Sequence, residues 1–487
     1  MIGITSCGGY IPRLRLNRKA VAAANAWFLP ALAGQAKGER AMCNWDEDSI
    51  TMAVEAARDC LNGSDRGELD ALYMASTTMP FADRQNSGVV ATALNLADGI
   101  STMDVTSSQR AGTTALLAGL NAVKGGAANK VLVAAAEKRK TRAASVQEMQ
   151  FGDGAAAVTV GNKKVIAEFK GSHSVTVDFV DHYRDSEHGF DYTWEERWIR
   201  DEGYQKIVPK AVKGLFEATG TGPDDIDHFV ISSVYGAVPR SVAKAVGIDQ
   251  EKLRDTLAAV CGETGTAHPL VMLVHALQDA KAGEKILVVG FGQGCDALLF
   301  ETTKAVEKLN GISGVSGSLA RRKEENNYMK FLTFNGLIEV EKGIRAESNP
   351  QTALTTLYRN RKMLEGLVGG ICTECKTPQF PKADICVNPD CGATDTQEDY
   401  EFAERIAKVN SWSADWLVYT IDPPGHYGMV EFPDGGRFMA DFTDYDVGDV
   451  DVGMRMRMVF RVKGHDSTRG ITRYFWKAAP AAPATEG

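Results

Sequence analysis

Four cysteines cluster in the C-terminal third of the chain, within ICTECKTPQFPKADICVNPDC. They are Cys372, Cys375, Cys386 and Cys391. Two residues separate the first pair and four the second, so each pair can supply one edge of a tetrahedron of sulfur ligands. Four thiolates would leave no open coordination position, which predicts a structural rather than a catalytic zinc site. The alternative is a group of free or oxidised thiols.

The length and composition of the chain limit what surrounds this cluster. Its 487 residues predict at least two domains. The composition is 44% hydrophobic and 24% charged, as in ordinary globular proteins, and the net charge of -9 argues against nucleic-acid or anionic-lipid partners. The opening MIGITSCGGYIPRLRL does not have the pattern of a signal peptide, and no apolar run approaches the roughly 20 residues of a membrane span. We therefore expect a cytoplasmic protein without membrane contact.

The first three hundred residues alternate short apolar runs with amphipathic stretches, which is typical of α/β proteins. The order of these runs recurs. FGDGAAAVTV from Phe151 resembles FGQGCDALLF from Phe291, and NKVLV from Asn129 resembles EKILV from Glu284. The repetition predicts a duplicated α/β domain, although periodicity alone allows several duplicated folds.

The sequence pattern changes after this repeat. Charged stretches such as ARRKEENNYMKF predict a solvated helical linker over 303–366, followed by the zinc ribbon at 367–395. From Trp412, SADWLVYTI, YGMVEF, GGRFMADF and MRMRMVFRVKG are short β-patterned runs between glycine- and proline-rich turns. They predict a small β-barrel at 396–478. The tail at 479–487 is predicted to be disordered.

A zinc ribbon before a small barrel resembles the OB-fold proteins with a rubredoxin-like zinc finger that accompany thiolases and related synthases. The resemblance covers about Tyr358 to Trp476 and implies docking of a partner enzyme or handling of acyl-CoA. A nucleic-acid role for the barrel would require a basic groove with stacking aromatics. The acidic runs DTQEDYEFAE and DFTDYDVGDVD argue against that role.

Four stretches in the first three hundred residues form a recognisable set: NWDEDSITMAVEAARDCL from Asn44, SQRAGTTAL, GETGTAHPLVML and GEKILVVGFGQG. They resemble the hydroxymethylglutaryl-CoA synthases of the thiolase superfamily, and the first stretch matches the opening of these enzymes. The resemblance implies a duplicated thiolase fold, with two βαβ-type halves at 1–165 and 166–302 in α-β-α-β-α layers. It also implies an acyl-CoA substrate, of which coenzyme A is a part, and a homodimer formed through this domain.

The same resemblance places unexpected residues at the catalytic positions. Condensing members of the superfamily carry a cysteine at a helix N-terminus, where the helix dipole favours its thiolate. The matching residue here is Gln109, before Ala-Gly-Thr, and a carboxamide is not a competent acyl acceptor. The family's histidine position falls on Ser232 or Ser233, its asparagine on Glu263, and its general-base glutamate near Thr77.

Other nucleophiles remain open as alternatives. If the match to the family's motif is shifted by one residue, Ser108 takes the nucleophile position. Cys261 and Cys295, both beside glycines, could also supply a thiol, although they fit buried core positions.

The fold implied by the resemblance would bring a set of polar side chains to the pocket. They are Gln109, Ser232, Tyr235, Glu263 and His268. His268 would be a neutral base, because a helix start lowers the pKa of an imidazole, or else a structural histidine. Glu263 is either a base or a helix-capping carboxylate. Tyr235 is either a proton donor to an oxyanion or a packed tyrosine.

The connection from Asp181 to Tyr204, DHYRDSEHGFDYTWEERWIRDEGY, is rich in aromatic and charged residues and is expected to cap the acyl pocket. Three of its aromatic residues would offer large apolar contact areas to an acyl group or to a subunit interface: Tyr192, Trp194 and Trp198. Three cations could meet the phosphates of coenzyme A or be ordinary surface charges: Arg110, Arg240 and Lys244.

A pocket with acid and base groups but no acyl-accepting cysteine suits aldol addition or retro-aldol cleavage of a β-hydroxyacyl-CoA. We take this as the main hypothesis. The alternatives are a condensing acyltransferase of the hydroxymethylglutaryl-CoA synthase type, a decarboxylase in which Gln109 holds the enolate, and a non-catalytic acyl-CoA scaffold.

Overall fold

The computed structural model describes residues 1–309, 311–341 and 351–481. They form two compact units. Unit 1 comprises Met1–Asn44, Asp48–Ala91 and Leu96–Ile338, and unit 2 comprises Trp45–Glu47, Thr92–Asn95 and the chain from Glu339 onward. Among the described residues, no helix is both long enough and apolar enough to cross a membrane.

The strands, in chain order, are β1 Gly3–Tyr10, β2 Leu14–Asn17, β3 Glu39–Met42, β4 Ala71–Ala75, β5 Ser101–Val105, β6 Lys130–Glu137, β7 Gly154–Gly161, β8 Ala167–Thr176, β9 His182–Tyr183, β10 Tyr192–Thr193, β11 His228–Ile231, β12 Lys285–Phe291, β13 Gly294–Thr302, β14 Lys323–Glu325, β15 Val368–Cys372, β16 Pro378–Gln379, β17 Gln397–Glu401, β18 Ile406–Asp415, β19 Gly425–Glu431, β20 Arg437–Asp441, β21 Arg455–Asp466 and β22 Ile471–Pro480. The α-helices are α1 Arg18–Asn25, α2 Ser49–Leu61, α3 Asn86–Ala93, α4 Ala111–Lys124, α5 Gln147–Gln150, α6 Glu196–Trp198, α7 Gln205–Thr219, α8 Val238–Val246, α9 His268–Asp279, α10 Gly314–Ala320, α11 Tyr328–Phe334, α12 Leu354–Arg359 and α13 Arg361–Leu364.

The main sheet of unit 1 confirms the predicted duplication. Its nine strands run in the order β11-β12-β13-β8-β1-β7-β6-β4-β5. The strands β1-β7-β6-β4-β5 form one half, and β8-β13-β12-β11 repeat the same pattern in the other. The halves meet where Gly3 and Ile4 of β1 pair with Glu168 and Ala167 of β8. An isolated parallel bridge between Phe229 and Leu253 takes the place of β5 in the second half.

Helices α4 and α9 lie in the core of unit 1. The α9 segment HPLVMLVHALQD is apolar on almost all sides, and nine of its residues are buried, as expected of a helix packed on both faces. Outside them, α2 packs on β1 and β7, while α7 packs on β8 and β13. The predicted layering of helices and sheets is therefore confirmed.

The segment predicted as a solvated linker is structured in its described part. Val315 of α10 is fully buried in the core of unit 1, and β14 pairs in parallel with β2. The charges of Lys323–Glu325 misled the prediction because β14 is the edge strand of a small sheet, where charged side chains are common. Asn310 and residues 342–350 of this segment lie outside the described residues.

Unit 2 contains a three-stranded ribbon sheet, β16-β15-β17, and a five-stranded sheet, β20-β19-β18-β21-β22. A bridge between Phe442 and Ala478 brings the last strand beside the end of β20, which closes the five strands into a barrel. The ribbon and small barrel confirm the predicted architecture.

Three details of unit 2 differ from the sequence expectation. Strand β17 pairs with β15 of the ribbon rather than with the barrel. Strand β18 starts at Ile406, earlier than expected, and ends at Asp415. The run from Trp416 to Ile421 is therefore a loop rather than a strand, and Trp416 and Leu417 in it are 67% and 65% exposed. Ala479 and Pro480, predicted to be disordered, end β22 instead, while residues 482–487 lie outside the described part.

Candidate active site

Two cavities in unit 1 share the lining residues Gln109, Asp181 and His182. The smaller cavity has a volume of about 240 Å³ and the larger about 620 Å³. Gln109 therefore lies at the junction of the two cavities.

Gln109 stands two residues before α4. Its Nε2 donates to Thr77 Oγ1 over 3.2 Å, and its Oε1 is buried without a hydrogen-bond partner among the described residues. The helix start packs very tightly here, because a Cβ on Gly112 would lie 2.3 Å from the Thr266 carbonyl oxygen. The Ala-Gly-Thr sequence after Gln109 thus lets the positive end of α4 enter the site.

A carboxylate that the sequence analysis missed reaches the same place. Glu137, at the end of β6, is fully buried and accepts from Thr77 N and Oγ1 over 3.1 and 3.0 Å. It also accepts from Ser76 Oγ over 3.2 Å and from Thr266 N over 3.3 Å. The available signal was an acidic residue ending the apolar run VLVAAAE. The resemblance placed the family's general-base glutamate near Thr77. A carboxylate does reach this position, but it belongs to Glu137 of the neighbouring strand β6.

Arg139 joins two acidic residues at the wall of the smaller cavity. Its Nη2 and Nε lie 2.6 and 2.9 Å from Asp191 Oδ2, and its Nη1 lies 3.4 Å from Glu263 Oε2. Burial opposes the charge of each partner, but the facing charges prevail: the pKa of Arg139 is raised and that of Asp191 lowered. Glu263 and Gln109 both line the smaller cavity, where the carboxylate of Glu263 lies beside Arg139.

The smaller cavity is also lined by Ser232, Ser233 and Tyr235. Ser233 Oγ accepts from Tyr235 N over 3.1 Å. Burial, together with the nearby carboxylates of Glu196 and Asp181, raises the pKa of Tyr235 to about 12. Tyr235 consequently keeps its proton at neutral pH and is able to act as a donor.

His268 is not brought to either cavity. Its Nδ1 accepts from Thr264 N over 2.9 Å, and its Nε2 lies 2.8 Å from the Thr256 carbonyl oxygen, to which it donates. Burial lowers the pKa of the imidazole. With both ring nitrogens bound to backbone, the structure supports the structural rather than the catalytic interpretation of His268.

The two alternative cysteine nucleophiles belong to the hydrophobic core of unit 1. Burial raises the pKa of Cys261 to about 12 and raises that of Cys295 as well. Both side chains are fully buried. Within the described part of the chain, neither cavity has a cysteine among its lining residues.

The predicted aromatic contacts divide between cavity and surface. Trp194 lines the smaller cavity. Trp198 stacks on Phe179 with ring centroids 5.8 Å apart, and Tyr192 packs against Tyr183; both are about half exposed.

The three predicted phosphate contacts do not line either cavity. Arg110 is held in an ion pair with Asp296 at 3.0 Å. Arg240 and Lys244 lie exposed on α8.

The four clustered cysteines converge in unit 2, with their sulfur atoms all within 4.8 Å of one another. The Sγ atoms of Cys372 and Cys391 are 3.9 Å apart, and those of Cys375 and Cys386 are 3.5 Å apart. A tetrahedron with metal–sulfur bonds of about 2.3 Å has edges of about 3.8 Å, so the cluster fits a metal held by four thiolates.

Comparison with known proteins places these features in a family. Residues 216–300 match the family model for the C-terminal part of 3-oxoacyl-[acyl-carrier-protein] synthase III, and residues 403–461 match the C-terminal OB-fold domain of ChsH2. The hydroxymethylglutaryl-CoA synthase of Aeropyrum pernix is 30% identical over 353 residues, covering 70% of this chain and 96% of that protein. That of Methanopyrus kandleri is 29% identical, covering 63% of this chain and 89% of that protein.

Solved structures show the same fold. A hydroxymethylglutaryl-CoA synthase complexed with CoA has a TM-score of 0.61 at 17% identity, covering 72% of this chain and 95% of that one. The 3-oxoacyl-[acyl-carrier-protein] synthase III of Aquifex aeolicus has a TM-score of 0.54 at 20% identity, covering 62% and 100%. The chain therefore belongs to the hydroxymethylglutaryl-CoA synthase family of the thiolase superfamily and carries an OB-fold domain in addition.

Proposed function

We propose that this protein breaks or forms a carbon–carbon bond of a β-hydroxyacyl-CoA by aldol chemistry, without an acyl-enzyme intermediate. The position of Gln109 carries the proposal. An amide, rather than a thiol, stands before α4 at the junction of the cavities. A carboxamide can donate and accept hydrogen bonds but does not accept an acyl group.

In the cleavage direction, the reaction needs a base, an oxyanion donor and an acid. Glu263 removes the proton of the β-hydroxyl group, and the O–H electron pair forms the new carbonyl. The bond between Cα and Cβ breaks, and its electrons form the thioester enolate. Gln109, whose first amide N–H is bound to Thr77, offers its second N–H to the enolate oxygen. Tyr235 then protonates Cα, releasing a shorter acyl-CoA.

A turnover assay tests this assignment. The protein is incubated with 3-hydroxyacyl-CoA thioesters, and chromatography follows the free carbonyl product and the shortened acyl-CoA. We expect equal amounts of both products. Glu263→Gln should reduce kcat by about 10²- to 10³-fold, because a carboxamide cannot take the proton. Equal rates for the variant and the natural protein would contradict the assignment.

Condensing acyltransfer is the second candidate, and family membership favours it. The hydroxymethylglutaryl-CoA synthases match this chain over most of their length. That reaction requires a residue that becomes acylated. Ser108, the residue before Gln109, carries a hydroxyl group, but that hydroxyl donates to the Gly292 carbonyl over 2.8 Å. A stable acyl adduct on this serine would favour acyltransfer over the aldol reaction.

We also propose that the four cysteines of unit 2 hold a structural zinc ion. Their mutual sulfur distances support a closed tetrahedral site. Bound zinc would supply folding stability to the ribbon rather than catalysis, because no coordination position is left for a substrate.

The proposed assembly is a homodimer formed through unit 1, with a partner enzyme docked on the OB-fold domain. The exposed side chains Trp416, Leu417 and Val418 of the barrel support such docking. Light scattering after size-exclusion chromatography tests the dimer, and a Trp416→Ser/Leu417→Ser variant tests the docking surface.

A further inference from the structure

Carboxylates outnumber cationic groups in the lining of both cavities. The smaller cavity is lined by three carboxylates and one guanidinium group: Asp181, Glu196, Glu263 and Arg139. The larger cavity has four aspartates and one arginine: Asp104, Asp181, Asp185, Asp191 and Arg184. Two histidines also line the larger cavity, and even if both were protonated, the carboxylates would remain in excess. An acyl group therefore meets negative potential on either side of Gln109.

The arginines do not offset this potential for a ligand. Arg139 is 6% exposed and is bound to Asp191, itself 7% exposed, and to Glu263. Arg184 pairs with Asp191 at 3.5 Å and donates to the Thr77 carbonyl oxygen. An anionic ligand would have to break one of these pairs to gain a cation, and separating a buried pair is strongly unfavourable.

Six of the side chains that line the smaller cavity are apolar or aromatic, and together they are called the aromatic wall: Phe151, Trp194, Ile199, Tyr204, Tyr235 and Phe291. The rings of Tyr204 and Phe291 lie 4.2 Å apart at 30°, and both residues are buried. Flat apolar groups gain both contact area and favourable ring geometry against such a wall.

We propose that the acyl group received by these cavities carries no negative charge and presents a flat apolar portion, such as a ring, to the aromatic wall. The inference rests on the proposed function only in placing the acyl group of the thioester here. A thioester with a terminal carboxylate, such as hydroxymethylglutaryl-CoA, is then disfavoured by like charges and by loss of its hydration.

Binding of matched thioesters tests the inference without requiring turnover. The probes are 3-hydroxy-3-phenylpropanoyl-CoA, its analogue with a carboxylate at the para position of the ring, and hydroxymethylglutaryl-CoA. Titration calorimetry at low and high salt measures each Kd. We expect the Kd of each carboxylated probe to be at least roughly tenfold higher than that of the uncharged probe. This ratio of Kd values should be smaller at high salt.

A charge-removing variant provides the second arm. Asp181→Asn/Glu196→Gln should narrow the ratio between the phenyl probe and its carboxylated analogue. The control is Glu217→Gln, which removes an exposed carboxylate on α7 and should leave the ratio unchanged. Equal or tighter binding of the carboxylated probes, or a ratio unaffected by the double variant, would overturn the inference.

The two proposals fail in different ways. Selective binding of the uncharged probe without cleavage would uphold the charge inference and refute the aldol reaction. Cleavage of charged and uncharged probes at equal rates would uphold the aldol reaction and refute the charge inference.

Discussion

The side-chain amide of Gln109 donates to Thr77 Oγ1 over 3.2 Å, and the same hydroxyl donates to Glu137 over 3.0 Å. Because the carboxylate of Glu137 can only accept, it fixes the direction of the Thr77 O–H bond. The remaining lone pair of Thr77 then holds the amide of Gln109. The three residues form a chain that orients the group assigned to the enolate oxygen.

Thr77→Val should break this chain while keeping the side-chain volume. We expect kcat to fall about tenfold, equivalent to about 1.4 kcal/mol of barrier, with little change in KM. Thr77→Ser retains the hydroxyl and should retain most of the activity. A fall in kcat shared equally by both variants would assign Thr77 to packing rather than to positioning of Gln109.

Asp191→Asn should destabilise the protein by about 3 kcal/mol at neutral pH, because Arg139 loses its closest buried charge partner. The lowered pKa of Asp191 fixes the pH dependence. Its stabilisation is fully present above the ordinary carboxyl value of about 3.9 and is lost as pH falls through the lowered folded value. Denaturant titrations of both proteins should therefore converge in acid, and a constant difference at all pH values would contradict this ion-pair account.

Glu148 gives the opposite pH dependence. Burial raises its pKa to about 7, against the opposing effects of Tyr328 and Arg40, and Tyr328 Oη lies 3.0 Å from each carboxylate oxygen. The stability contributed by this raised pKa is present below about 4.5 and is lost as pH rises through about 7. As pH rises from 5 to 8, the free energy of unfolding of the natural protein should fall by about 2–3 kcal/mol more than that of Glu148→Gln. Parallel stability profiles would show that the pKa of Glu148 is not raised.

Zinc removal should unfold the ribbon selectively. We expect elemental analysis to give one zinc ion per chain and to give none after Cys386→Ala, because three thiolates no longer close the site. Cys295→Ala, which alters a buried cysteine outside the cluster, should keep the metal. Full zinc content in the Cys386→Ala variant would exclude the four-cysteine site.

Local sequence patterns predicted much of this protein, and long-range contacts account for what they missed. The spacing of the four cysteines was sufficient to predict that their sulfur atoms converge, and the repeated strand sequences were sufficient to predict the duplicated sheet. The contact between Thr77 and Glu137 joins residues 60 positions apart, so no local pattern contained it.

The role of His268 was likewise left open by the local sequence. Its place at a helix start suggested a base, but the side chain turns to the backbone of Thr264 and Thr256. Only the packing of the loop before α9 could have revealed this, because the same sequence would also suit an imidazole facing the cavity.

The absence of an acyl-enzyme is the central claim, and intact-protein mass spectrometry after brief exposure to acetyl-CoA and longer acyl-CoAs tests it most directly. Gln109→Cys serves as the positive control, because the start of α4 should favour a thiolate there. We predict that the natural protein keeps its mass while this variant gains one acyl group. A stoichiometric acyl adduct on the natural protein, mapped to Ser108 or to a cysteine, would contradict the account and establish acyltransfer instead.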